Sequence, residues 1–397
     1  MKISTESLLG RLTLMFGHVA GMLDLVVVPL WIGGLMETYK LQPQQAGATV
    51  TLFLIGILLT NAFIARLFGR VSTRATVVAG YTLGGLSFLA MTRAPFGLFG
   101  SPIVELGLLH LLAGLGVGAG LGCVHGTIAQ TGNPHRTFAI VNFGMGLFGI
   151  AFFAGVPPIM AKIGVSAVFY GIAGLMAAAV ALSLFAFPTP PTAEARAAAS
   201  PASSGSSKMG AAIVLGFAGV ILMQIGQGVS NAFVERVGNF RGFSAEAIGI
   251  MLAINGVVAL SPPILAGLLQ KRIPALTAAV GALVLHGLAS IMIFNTTAFP
   301  LYSIAFMTMI FMAIFGHTFI FGLFAKFDPS GRMNASTPFM LMTGAAIGPF
   351  LGGTLVQFNG YPMAGIVAGA ITIAGAGCFA AIAWMQRTAV ATAPVSA

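Results

Sequence analysis

Long apolar runs, parted by short polar or Gly/Pro breaks, limit what this chain can become more than any other feature. They fall at 12–36, 46–69, 74–92, 104–130, 136–160 and 165–187, then at 210–234, 244–270, 274–295, 298–325, 332–357 and 361–386. A helix needs roughly 20 residues to cross the hydrocarbon of a bilayer. The runs lack the alternation of the roughly 10-residue strands of an outer-membrane barrel, and a helix satisfies its own backbone polar groups where no water can. Only 7% of the 397 residues are charged and 57% are hydrophobic, against roughly 25% charged in a soluble domain. Such a composition cannot supply a wetted exterior, so lipid is the solvent that suits it.

The longest break, 188–209, reads PTPPTAEARAAASPASSGSSKM, a linker composition with no apolar periodicity. It divides the chain into 1–187 and 210–397, six runs each. The basic residues orient the runs. With both termini cytoplasmic, thirteen of the eighteen Lys and Arg lie inside, among them Arg66, Arg70, Arg136 and Arg332, and only Lys40, Arg93, Lys162, Arg236 and Arg241 lie outside. This segregation obeys the positive-inside rule. It also explains the net charge of +10 without nucleic acid. The first run is too long for a signal-peptide core. Cys123 and Cys378 lie within apolar runs and make neither a metal spacing nor a disulfide framework.

The halves echo each other at an offset near 200. Asn133-Pro134-His135-Arg136 opens the fifth run and Asp328-Pro329-Ser330-Gly331-Arg332 the eleventh, and Gly164 and Gly360 follow at matching points. Parallel repeats of this kind are a transporter device, because two similar bundles can rock about a site at their interface. The expected fold class is therefore an all-α membrane protein with twelve transmembrane helices in two pseudo-symmetric six-helix bundles.

These features resemble the major facilitator superfamily along essentially the whole chain: six plus six runs, the central linker, the basic loop after the second run, and the Gly/Pro run 344–353. The family's loop signature, G-x-L-A-D-R-x-G-R, reads here Ala62-Phe63-Ile64-Ala65-Arg66-Leu67-Phe68-Gly69-Arg70. Gly69 and Arg70 match, while Arg66 stands at the family's acidic position. The resemblance implies a cytoplasmic gate built from Arg66, Gly69, Arg70, Arg136 and Arg332. It also implies a central cavity lined by the first, fourth, seventh and tenth helices.

A charge near the bilayer centre costs about 2.5–3.5 kcal/mol on insertion scales. Asp24 carries one, twelve residues from either end of its run. Gly17, Gly21, Asp24, Val28 and Trp31 share one helical face. A carboxyl there suits a proton or cation site, with a structural hydrogen bond as the plainer alternative. On the seventh run Gln224, Gln227, Asn231 and Glu235 recur at 3, 4 and 4. Such a polar stripe needs a wet or protein-lined setting. At the repeat offset Gln224 is the counterpart of Asp24, and the resemblance has the two face each other across the cavity. His317 is the expected cavity histidine. Gly114, Gly116, Gly118, Gly120 and Gly122 spread around the fourth helix and allow close helix contacts.

The expectation is a secondary, proton-coupled transporter of a small organic solute working by alternating access. Asp24 carries the proton, and Gln224, Gln227, Asn231, His317 and Trp31 bind the substrate. A drug/proton antiporter exporting amphipathic compounds is the alternative. No paired carboxylates or nucleophile with a base suggest an enzyme, and the six His make no metal pattern, so no cofactor or metal is expected. The partners are the solute, protons and the lipid bilayer, with no nucleic acid. A monomer in the cell inner membrane is expected.

Overall fold

The computed structural model describes residues 3–68, 70–188, 209–327 and 337–391. Every regular element among them is helical: α1 (Leu8–Gly21), α2 (Asp24–Thr38), α3 (Pro43–Leu67), α4 (Thr73–Met91), α5 (Pro102–Ile128), α6 (Pro134–Ile163), α7 (Ser166–Ala186), α8 (Met209–Phe240), α9 (Ala245–Val258), α10 (Pro262–Leu269), α11 (Ala275–Asn295), α12 (Phe299–Phe327) and α13 (Thr337–Ala391). Short side chains start them. Ser7 accepts from the Gly10 N–H and Ser72 from the Ala75 N–H, while Gln42 and Gln45 form a reciprocal capping box ahead of α3. Ten helices among the described residues are long and apolar enough to cross a membrane. Large apolar side chains stand exposed along them, Phe63, Phe185, Leu268 and Phe358 among others. Acyl chains, rather than water, are the surroundings such a surface suits.

Two of the expected spans are interrupted. The run 12–36 is two helices, α1 and α2, parted at Met22 and Leu23. Gly21, a poor helix former, closes the first piece, and Pro29 withholds the N–H that the Leu25 carbonyl would receive in the second. The run 244–270 parts between Val258 and Pro262, where Pro262 and Pro263 start a new helix with no donors to offer the preceding turn. The last helix, α13, bends at Gly360 (φ 79°, ψ 168°), and its repeat counterpart Gly164 caps α6 with φ 62° and ψ −150°. Both lie in a region that side chains with a Cβ avoid.

The chain forms two compact units. The first comprises Met1–Ser200, Asn231–Val257 and Pro349–Gln357. Its central helix is α5, and the alternating glycines divide its surface. Gly114 and Gly118 meet the α3 backbone at Phe53 and Ile57, and Gly122 meets Ile64, while Gly116 and Gly120 meet α4 at Gly80 and Tyr81. Leu121 and Val124 fill the space left by Gly21 and Gly17 of α1. The second unit comprises Pro201–Ser230, Val258–Gly348 and Phe358–Ala397. Its core packs Val220 and Met223 of α8, Leu283 of α11, Ile320 and Phe324 of α12, and Met340, Phe379 and Ile382 of α13. Gly287 of α11 and Gly369 of α13 touch backbone to backbone there.

Candidate functional site

Asp24 opens α2 immediately after the break in the first span, and it is 3% exposed. Its Oδ1 has no hydrogen-bond partner among the described residues. A buried polar atom without a partner costs about 1–3 kcal/mol. Water, a proton, an ion or a solute can each supply the missing partner of such an atom. Backbone hydrogen bonds bridge the break: the Met22 N–H donates to the His18 carbonyl, the Leu25 N–H to that of Met22, and the Val26 and Val27 N–H groups to that of Leu23. Neither feature is visible in the periodicity of the run.

Two histidine contacts lie in the same unit. Trp31, fully buried, donates from Nε1 to Nε2 of His110 at 3.1 Å and lies within 5.3 Å of that ring, walled by Phe53, Phe88 and Phe169. Trp31 is thereby part of the aromatic interior of the first unit. His18 Nδ1 lies 3.0 Å from His125 Nε2, with ring centroids 5.2 Å apart and planes at 29°. The centroid separation is about the N···N distance plus one ring radius on each side, so the nitrogens point at one another. The two rings lie edge to edge in a shared hydrogen bond, not face to face.

In the second unit Gln224, 5% exposed, packs against α13 at Gly344, where even a methyl group would meet its Cβ. The amide oxygens of Gln224 and Gln227 and Nε2 of His317 have no hydrogen-bond partner among the described residues. His317 stacks on Phe321 with centroids 5.3 Å apart and planes at 15°. Asn231 is half-buried on the same helix as the two glutamines. Unpartnered polar atoms thus lie on α8, at Gln224 and Gln227, and on α12, at His317, whereas the Trp31 N–H is satisfied by His110. His286 of α11 also has both ring nitrogens unpartnered among the described residues. Its only sequence signal is a lone histidine in an apolar run.

The sequence profile of the Major Facilitator Superfamily matches residues 14–336. The chain belongs to this superfamily. Three crystal structures share the superfamily fold with it. The nucleoside transporter NupG aligns with a TM-score of 0.68 at 15% identity, covering 94% of this chain and 98% of its own. A D-xylose–proton symporter gives 0.68 at 14%, covering 93% and 96%. The human organic anion transporter MFSD10 (TETRAN) gives 0.63 at 14%, covering 94% and 99%. No curated protein matches the sequence. The chain is thus a multi-pass membrane protein of a transporter family. Of the superfamily loop residues, Arg66, Arg70 and Arg136 are exposed. Gly69 and Arg332 lie outside the described residues.

Proposed function

We propose that this chain is a proton-coupled secondary transporter of a small organic solute that works by alternating access. The observation that carries the reading is Asp24: a buried carboxyl oxygen without a partner among the described residues, at a helix break, in a chain of this superfamily. Protonation can drive transport only by favouring one conformation over another, and a carboxyl beside a break in its helix is suited to that task. Gln224 and Gln227, whose amide oxygens lack partners among the described residues, His317, whose Nε2 does likewise, and Asn231 hydrogen-bond the solute. A fold neighbour is a D-xylose–proton symporter, so proton coupling is work that this fold performs.

The reading includes twelve spans in two six-helix bundles, 1–187 and 210–397, joined by the linker 188–209. Two features support it: α4, a nineteen-residue helix of largely apolar character, and the bend at Gly360, which divides α13 into two lengths. The Lys and Arg distribution supports cytoplasmic termini in the inner membrane. The test is uptake into proteoliposomes from a panel of labelled solutes, with and without an imposed pH gradient. Asp24→Asn should abolish proton-driven accumulation while leaving solute exchange. Undiminished proton-driven uptake in that variant would remove Asp24 from the mechanism.

A further inference from the structure

One carboxyl of the first unit has no part in the reading above. Glu235 of α8 is 9% exposed and lies on the backbone of α2, where a methyl group at Gly33 would overlap its Oε2. Asn239 donates to its Oε1, and Oε2 has no partner among the described residues. Arg236, the next residue, pairs instead with Glu37, whose side chain is 58% exposed. Two carboxyls therefore share one guanidinium, whose ion pair goes to the outer one. Nearby, Tyr39 donates to the Met91 carbonyl at 2.5 Å, and burial pushes its phenol up to about 12, so it stays protonated. Arg241 lies over the Phe240 ring at 5.6 Å. An ionised Glu235 is thus a desolvated charge that shares its neighbouring cation with Glu37, and a neutral carboxyl suits the position better.

In the same unit the start of α3 meets residues 349–357. The Gln44 N–H donates to Gln357 Oε1 at 3.2 Å, its amide donates to Thr354 Oγ1 at 3.1 Å, and the Phe350 N–H donates to Thr51 Oγ1 at 3.2 Å. Gly47 lies on the Pro349 carbonyl and Gly353 on the Pro43 carbonyl, leaving no room for a Cβ. Segments far apart in sequence close together here through groups that can also bond to water.

We infer that Glu235 is a second proton-binding group, a latch that holds this closure shut while its carboxyl is neutral. When α2 and α8 part, water reaches Oε2. The carboxylic acid then gives its proton to water, leaving a hydrated carboxylate and hydronium. Reclosure takes the proton back. The closed form binds the proton more tightly, so raising the pH at this face opens the closure and lowering it shuts it. The inference rests on the alternating access proposed above, but it assigns a different group from Asp24 and is read without any solute.

The reporter is Thr354→Cys in a chain with Cys123→Ala and Cys378→Ala, labelled by a membrane-impermeant maleimide added at the face that carries Tyr39 and Lys40. Labelling rates are corrected for the reactivity of a free thiol at each pH. In the parent the corrected rate should rise with pH by up to about tenfold per unit, the limit for one linked proton. Glu235→Gln should label slowly and without pH dependence, and Glu235→Asp should restore the dependence. Glu37→Gln removes the carboxylate that competes with Glu235 for the charge of Arg236, so its pH step should move toward acid. An unchanged step in Glu235→Gln would overturn the inference. So would an unchanged step in Glu37→Gln, which removes the exposed partner of Arg236 and leaves Glu235 itself in place. Loss of the step in Asp24→Asn alone would overturn it too, by naming Asp24 as the sensor. Failure of the proposed transport function is a separate result, seen as uptake in Asp24→Asn.

Discussion

The indole N–H of Trp31 donates to Nε2 of His110, and Nδ1 of the same ring lies 2.6 Å from the Leu106 carbonyl. The only proton arrangement that satisfies both contacts is a neutral ring protonated on Nδ1, so His110 has no vacant nitrogen. Trp31 and His110 are a structural pair joining α2 to α5. Trp31→Phe keeps the aromatic contacts with Phe53, Phe88 and Phe169 but strands the His110 acceptor. The expected loss is about 1–3 kcal/mol of stability, measured as a lower Tm in detergent, with solute affinity unchanged. A weakened affinity at unchanged Tm would return Trp31 to the binding site.

His18 and His125 share one hydrogen bond, so together they accommodate a single bridging proton. Removing either histidine leaves a buried nitrogen of the other without its partner. His18→Ala and His125→Ala should therefore each destabilise the protein, and the double variant should be less destabilised than their sum. A coupling of about 0.5–3 kcal/mol is expected from a double-mutant cycle on reversible detergent unfolding. Strict additivity would show that the two rings do not interact.

The glycines of α5 are a matter of space. At Gly118 a Cβ would lie 2.5 Å from the Ile57 carbonyl oxygen and 2.7 Å from the Ile57 Cα, whereas at Gly174 of α7 it would meet nothing within 4 Å. Overpacking costs about 1–3 kcal/mol, while an unhindered Gly→Ala in a helix gains up to about 1 kcal/mol. Gly118→Ala should lower the Tm and Gly174→Ala should hold or raise it. Equal effects would mean that α3 and α5 are not in backbone contact.

Much of this was legible because each helix in lipid reports itself locally. Apolar length marked the spans, and the matched Gly164 and Gly360 both turned out to have positive φ. Asp24 stood out as a charge in an apolar run, and the structure leaves it buried with an oxygen unpartnered. What the run did not show was the break before it, since Gly21 and Pro29 each fit within a helix and only Leu121, packed into the notch at Gly21, reveals how α1 ends. The partners of His18 and Trp31 come from α5, about a hundred residues away, and no spacing along either helix announces them. Glu235 looked like the last member of a polar stripe. Its distinct setting comes from Gly33 and from the ion pair between Arg236 and Glu37, and both depend on α2 lying alongside.

Gly47 separates packing from gating. Its position lies on the Pro349 carbonyl within the closure that Glu235 is inferred to latch. Gly47→Ala should prise that contact apart at a cost of about 1–3 kcal/mol, comparable to the free energy of a conformational equilibrium with a minor state of a few per cent. The Thr354→Cys reporter should then label quickly at every pH, because an added methyl group holds the end open whatever the state of Glu235. Proton-driven uptake should fall, since a transporter that cannot close one side cannot complete its cycle. Gly118→Ala stresses a contact of similar tightness inside the α3–α5 pair and should leave the reporter's pH step intact. If both variants lose the step alike, general loosening explains it and the closure at Gly47 is not the moving part.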